Sequence, residues 1–197
     1  MHRYFILNKP AGIVSQFISS DKVPLLGSID FDFPVGTHAI GRLDKDSEGL
    51  LLLTTNKKIT RLLFRGSKPH LRTYLVMVQN EISEATFQKL KEGVPIKIAN
   101  GENYVARPEA VFRVSDAVSL YPWAMDQREN YPHTWLLITL TEGKFRQIRK
   151  MVLALRHRCQ RLIRLSIENI TVDRIEPGQV KELDEVSFFK LLNLNEE

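Results

Sequence analysis

Short apolar runs alternate with polar stretches along the chain, and two spacings recur in them. Residues 4–7 form an apolar run that predicts a short strand, ended by turn chemistry at Asn8-Lys9-Pro10-Ala11-Gly12. Residues 13–40 have no clear period and contain Pro24, Gly27, Pro34 and Gly36, which predicts a long connecting loop of the kind that often carries function. Residues 50–54 predict a buried strand, running into a short amphipathic helix over 56–65 closed by Gly66. A strand follows at 72–78. A helix over 83–92 has Ser83 as its N-cap and Gly93 after its end.

Residues 94–120 predict strands in hairpins, with Asn100-Gly101 suited to a two-residue turn, and 121–132 a loop. Residues 135–141 predict another strand. Apolar spacing at Phe145, Ile148, Val152 and Leu155 predicts a helix anchored to the core by that face, with Arg146, Arg149, Lys150 and Arg156 on other faces. Short strands at 162–165 and 170–172 precede a final helix begun by Asp184 and carrying Val186, Phe189 and Leu192. Strands and helices come in mixed order without a βαβ rhythm, so the expected class is α+β with a largely antiparallel sheet. No internal repeat, low-complexity tract or interdomain linker interrupts the pattern.

Composition changes this picture in two ways. With 197 residues, 43% of them hydrophobic, the chain can bury a genuine core. Its single cysteine, Cys159, excludes a disulfide framework or a cysteine cluster and fits a reducing compartment. The N-terminal apolar run meets Lys9 and Pro10 too early for a signal peptide, and the run at 50–53 is far short of the ~20 residues of a bilayer span, so a soluble cytoplasmic protein is expected. The formal net charge is +5, yet residues 144–164 alone hold eight cations and no acid. Merely solvated faces interleave both signs, and so one-sided a segment points to a polyanion such as nucleic acid.

Candidate chemistry gathers in the block Gly41-Arg42-Leu43-Asp44-Lys45-Asp46-Ser47-Glu48-Gly49, where polar chain meets an apolar strand. A carboxylate at Asp44 could be a nucleophile, a general base or a metal ligand, or could simply pair with Arg42 or Lys45. Alone, Tyr74 reads as a core tyrosine, Arg149 as one more helix cation and Lys9 as a turn residue. A constellation of histidines or cysteines with metal-ligand spacing is absent, as is a Gly-rich phosphate loop.

Taken together, Asn8-Lys9-Pro10-x-Gly12, the 41–54 block, Arg72-Thr73-Tyr74 and Glu142-Gly143-Lys144-Phe145-Arg146-Gln147-Ile148-Arg149-Lys150-Met151 resemble the RsuA-type pseudouridine synthases, which modify ribosomal RNA. The resemblance runs from about Tyr4 to Leu183. It implies a pseudouridine synthase fold, an α+β mixed sheet with flanking helices and an active-site cleft between two subdomains. It makes Asp44 the catalytic aspartate, Tyr74 the active-site tyrosine beside the target base, and Arg149 the arginine paired with the aspartate. Arg42 falls on a position that holds the flipped-out nucleotide. Arg72 replaces the family's usual lysine, an exchange that keeps the charge but can alter a phosphate contact. Lys144, Arg146, Gln147, Lys150 and Arg164 are the further RNA-binding positions implied.

Members of the family often begin with a small RNA-binding module of the S4 type. Here the resemblance starts at Tyr4, so a single catalytic domain over 1–197 without that module is expected, like the family's short RluE-type members. The implied substrate is 23S rRNA, with no cofactor, metal or membrane, and with a monomer as the working form. Isomerisation breaks the N1–C1′ bond, turns the uracil, joins C5 to C1′ and removes the C5 proton. Attack at C1′, addition at C6 and a glycal route all remain open. An ionised carboxylate in a dry pocket needs support, and an arginine at ~4 Å offers a gross attraction of about 4 kcal/mol at an effective dielectric of ~20. Extruding the uridine costs a few kcal/mol, which phosphate contacts could supply. Aromatic and basic residues at 121–132, namely Tyr121, Trp123, Arg128 and Tyr131, could stack bases or simply pack. The rival reading is a noncatalytic rRNA-binding or ribosome-assembly protein on the same fold, which need not keep Asp44, Tyr74 and Arg149 together.

Overall fold

Leu50, Leu51, Leu52 and Leu53 are all fully buried, which explains why their strand shows a continuous apolar run rather than an alternation: both of its faces are covered. The computed structural model describes residues 2–65, 69–125 and 131–194. It divides into two compact units, Met1–His70 with Ile163–Glu197, and Leu71–Leu162.

The first unit opens with β1 (Tyr4–Lys9), β2 (His38–Ala39), β3 (Glu48–Thr54) and α1 (Ile59–Arg65). The second holds β4 (Arg72–Gln79), α2 (Glu84–Glu92), β5 (Val94–Lys97), β6 (Asn103–Ala106), β7 (Ala110–Val114), α3 (Ala117–Leu120), β8 (His133–Leu140) and α4 (Gln147–Ala154). Strand β9 (Cys159–Ile167) leads the chain back into the first unit, which ends with β10 (Ile170–Thr171), β11 (Val180–Leu183) and α5 (Glu185–Leu191).

In the first unit β1 is flanked by β3 and β11, both antiparallel to it, with Leu7 opposite Leu51 and Val180. The β3–β9 pair is parallel, at Glu48–Ile163 and Gly49–Arg164, so the sheet is mixed. Alternation along β1 sends Phe5 and Leu7 to one face, where they pack with Leu26, Ile29, Leu43, Leu51 and Leu53. Tyr4 points to the other face and stacks on Phe188 of α5, ring centroids 4.5 Å apart. Asp184 caps α5 by accepting the Ser187 N–H at 2.8 Å, as expected. The buried face of α5 is Phe188, Phe189 and Leu192; Val186, expected to face inward, is 67% exposed.

The stretch 13–40 is the expected long connection, with only a two-residue strand and one 3-10 turn at Leu26–Ser28. Its aromatic residues give it a packed interior. Phe31 and Phe33 meet Phe5 edge-on at 5.5 and 5.9 Å, and Phe17 meets Phe33 at 5.2 Å.

In the second unit β8 pairs with β4 and β7, both antiparallel. One face of this sheet carries Tyr74, Val76, Val78, Leu136, Ile138, Leu140 and Val111, packed against Leu90 of α2 and Ile148, Met151 and Val152 of α4. Ser83 caps α2 through the Thr86 N–H at 3.2 Å. The β5–β6 hairpin forms, but its turn is longer than the two residues expected. The Ile98 N–H bonds the Glu102 carbonyl, enclosing three residues, and Gly101 at φ +83° takes the left-handed position such a turn requires. Residues 117–120 are a helical turn capped by Asp116 rather than strand. The expected cap Gly66 lies outside the described residues, as does Arg128.

Candidate active site

Asp44 lies in the first unit, half-buried, one turn ahead of β3. Its carbonyl accepts the Ser47 N–H at 3.0 Å, closing the turn that starts the strand. Gly49 then passes so close to β9 that a Cβ there would lie 2.3 Å from the Arg164 carbonyl oxygen, at a φ of +95°; only glycine fits.

The residue before Asp44 is held from both sides by one hydroxyl. Ser15, buried, donates to the Leu43 carbonyl at 2.7 Å and accepts the Leu43 N–H at 3.0 Å. One residue beyond Asp44, the Lys45 carbonyl accepts the Gly12 N–H at 2.7 Å. The Asp44 main chain is therefore fixed by hydrogen bonds to the residue on each side of it. Neither Ser15 nor Gly12 carries a sequence signal for this role, since a serine bonding a main chain 28 residues away has no local pattern.

Lys9, which reads as a mere turn residue, is fully buried at the end of β1. Its ammonium donates to the Pro10 and Ile13 carbonyls at 2.9 and 2.8 Å, shaping the turn that carries Gly12. Burial lowers its pKa from 10.5 to about 8, against the opposing pull of Glu48, Asp46 and Asp44 and with a smaller push from Arg164. Lys9 thus lies in the electrostatic field of the Asp44 loop.

Arg42 is exposed. Arg164 is not: at 3% exposure its Nε donates to the Leu50 carbonyl at 2.8 Å, and its buried Nη2 has no hydrogen-bond partner among the described residues.

In the second unit Tyr74 is 8% exposed on β4, within the core cluster that includes Ile138, Ile148 and Met151. Arg149 is half-buried on α4, its Nη1 directed at the Cys159 carbonyl at 3.5 Å. Arg72, buried at the start of β4, donates to the Thr141 carbonyl at 3.1 Å.

The segment 142–147 is braced by a chain of polar contacts. Gln147, 3% exposed, donates to Glu142 Oε1 at 2.8 Å and accepts the Lys144 N–H at 2.9 Å. Tyr104 donates its hydroxyl to Glu142 Oε2 at 2.6 Å, a bond to a carboxylate that raises the phenol's pKa. Lys144 is exposed, its ammonium 5.3 Å from the Tyr104 ring centroid. Lys150 donates to the Lys97 carbonyl at 2.8 Å, and Arg146 stands at φ +52° immediately before α4.

These placements divide the expected RNA-binding positions into buried and accessible ones. Arg72, Gln147 and Arg164 are built into the interior of their units by main-chain and carboxylate bonds, because each sits where covered strands or a tight turn leave polar groups to be satisfied. Arg42, Lys144, Arg146 and Lys150 are the cations on exposed or half-exposed ground. Tyr121, considered as a stacking residue, is 1% exposed and packs edge-on against Trp123 at 5.3 Å; Tyr131 is 65% exposed.

The α+β architecture, with a turn-borne aspartate in the first unit and the cation-bearing α4 in the second, points to a class of protein that comparison with known proteins makes specific. Residues 3–154 match the family model for RNA pseudouridylate synthases, and the chain belongs to that family. It is 35% identical over 185 residues to the ribosomal large subunit pseudouridine synthase E of Vibrio parahaemolyticus, covering 92% of this chain and 74% of that protein. With the protein of the same name from Xanthomonas campestris it shares 34% identity over 176 residues, 88% of this chain and 91% of the other. A crystal structure of a pseudouridylate synthase matches 97% of this chain and 74% of its own, with a TM-score of 0.76 and 27% identity. A chain of a Cbf5–Nop10–Gar1 complex, 14% identical, matches 87% of this chain and 50% of its own at a TM-score of 0.56 and shares the fold. Among the described residues, no helix is long and apolar enough to cross a membrane.

Proposed function

We propose that this protein isomerises uridine to pseudouridine at a defined position in large-subunit (23S) ribosomal RNA. The observation that carries the reading is the similarity over most of the chain to two relatives named ribosomal large subunit pseudouridine synthase E.

Asp44 is the catalytic carboxylate. It is short, half-buried and positioned by Leu43 and Lys45, whose main-chain groups are tied to Ser15 and Gly12, so that its backbone is held in one place for the reacting nucleotide. The reaction breaks N1–C1′, joins C5 to C1′, releases the C5 proton and protonates N1, with no net redox change or hydrolysis. Tyr74 and Arg149 are the other catalytic assignments. Arg42, Lys144, Arg146 and Lys150 supply phosphate contacts to a substrate whose target base must leave its stack. The protein works as a cytoplasmic monomer without a cofactor.

The test is tritium release from transcribed 23S and 16S rRNA labelled at uridine C5, comparing the wild type with Asp44→Asn at matched concentration. Release from 23S rRNA by the wild type alone is the expected result. Binding of both proteins to rRNA with release by neither would move the protein to the noncatalytic, ribosome-assembly reading.

A further inference from the structure

The spacing 145, 148, 152, 155 turns Phe145 toward the core, and the structure does the opposite. Helix α4 begins only at Gln147, and the left-handed Arg146 ahead of it redirects the chain. Ile148 and Val152 remain buried, whereas the Phe145 ring is left 62% exposed.

Its surroundings are cationic. The Lys150 ammonium lies 5.4 Å from the ring centroid and is held by the Lys97 carbonyl of the β5–β6 hairpin. Lys144 precedes Phe145 in the chain and lies over the Tyr104 ring. The nearest acid in sequence, Glu142, has one oxygen engaged by Tyr104 and the other by Gln147. An apolar protein surface covering this ring would have to strip water from the neighbouring cations. An unpaired nucleobase offers a flat face to the ring while its flanking phosphates meet the lysines.

We propose that Phe145 is a stacking platform for an unpaired base of the substrate RNA, with Lys144 and Lys150 taking the adjoining phosphates. This rests on the reading of the protein as an RNA-modifying enzyme and adds a base contact that its cations alone do not provide.

Binding is measured by fluorescence anisotropy with a short oligouridylate and with an abasic backbone of equal length, for the wild type, Phe145→Ala, Phe145→Leu and Phe145→Trp. Alanine and leucine should each weaken oligouridylate binding by about tenfold, whereas tryptophan stays within about twofold, because stacking needs a π face and not merely apolar area. The abasic strand should bind all four alike. Equal oligouridylate affinity for wild type and Phe145→Ala, or full retention by leucine, overturns the platform, as does a wild type that prefers oligouridylate no more than the abasic strand. A wild-type dimer in sedimentation that Phe145→Ala dissolves overturns it too, assigning the ring to a second copy of the chain. Wild-type tritium release from 23S rRNA, run in parallel, reads the enzymatic assignment separately. Release with no effect of Phe145→Ala on binding rejects the platform alone, and a tenfold binding loss without release rejects the enzymatic reading alone.

Discussion

The Asp44 loop and the 142–150 segment place functional groups by opposite means. Around Asp44 the neighbouring main chain is held by neutral backbone bonds and the buried Ser15 hydroxyl. Around Lys144, Arg146 and Lys150 it is done by a network that meets solvent, a glutamate bridging a tyrosine and a glutamine beneath exposed or half-exposed cations. A reacting carboxylate, the role proposed for Asp44, must be held within a fraction of an ångström, and backbone clamps on its neighbours do this. A polyanion needs charge over an area, and long cationic side chains that adjust to it suffice.

If this contrast holds, the largest effect belongs to the reacting group itself. Asp44→Asn should lower single-turnover tritium release about 10³-fold or more while leaving RNA affinity within a few-fold, since the amide can neither attack nor accept the proton. A parallel loss of binding would place Asp44 among the RNA contacts instead.

Next comes the buried ammonium. With a folded pKa of about 8 against an ordinary 10.5, Lys9 is neutral in the native state while still protonated in the unfolded chain across that window, so stability contributed at this site rises with pH from 8 to 10.5. Below the window the native fold carries the whole cost of the buried charge, about 3 kcal/mol. Urea unfolding of wild type and Lys9→Met over this range should show a gain in the wild type alone; parallel profiles would show that the ammonium is better solvated than its burial indicates.

Ser15→Ala is expected to cost about 2 kcal/mol, because it orphans a buried N–H and a buried carbonyl at Leu43. As the loop loosens, kcat should fall more than KM rises, and Ser15→Thr, which restores the hydroxyl, should recover part of kcat. A variant equally destabilised but with unchanged kcat would make the clamp purely structural. Removing charge at Arg146 and Lys150 together should weaken RNA binding severalfold and lower the slope of log K against log salt by about 1.5, without altering kcat at saturation. An unchanged slope would remove both residues from the phosphate contacts.

Local signals were legible where a local cause acts. Ser83 and Asp184 sit before apolar runs and cap their helices, and the one-sided charge of 144–164 marks exposed or half-exposed cations at Lys144, Arg146 and Lys150. Asp44 stood out because its charged block abuts four buried leucines, and the resemblance to the family gave it a role. Legibility failed where the outcome depends on distant partners. Phe145 fits a helical spacing, but the left-handed Arg146 stops the helix short of it. Val186 has the right period for α5, yet Phe188 offers more apolar area and takes the contact with Tyr4. The run 13–40 looks structureless because aromatic residues that pack on Phe5 need no regular spacing when the backbone between them is irregular. Ser15 and Lys9 escaped because each acts on main-chain atoms, which leave no trace in residue identity.

The order of strands in the first unit also bears on synthesis. Strand β1 leaves the ribosome well before its neighbour β11, which lies at residues 180–183. Residues 71–162 form a contiguous compact unit that can fold while the chain is still growing, whereas the unit that carries Asp44 waits for its closing strand. Until then β1 presents an open edge with an apolar run over residues 4–7, the kind of surface that recruits chaperones or pairs with the wrong chain. Truncation ahead of residue 180 should therefore trap nascent protein with Asp44 already translated and its scaffold unfinished.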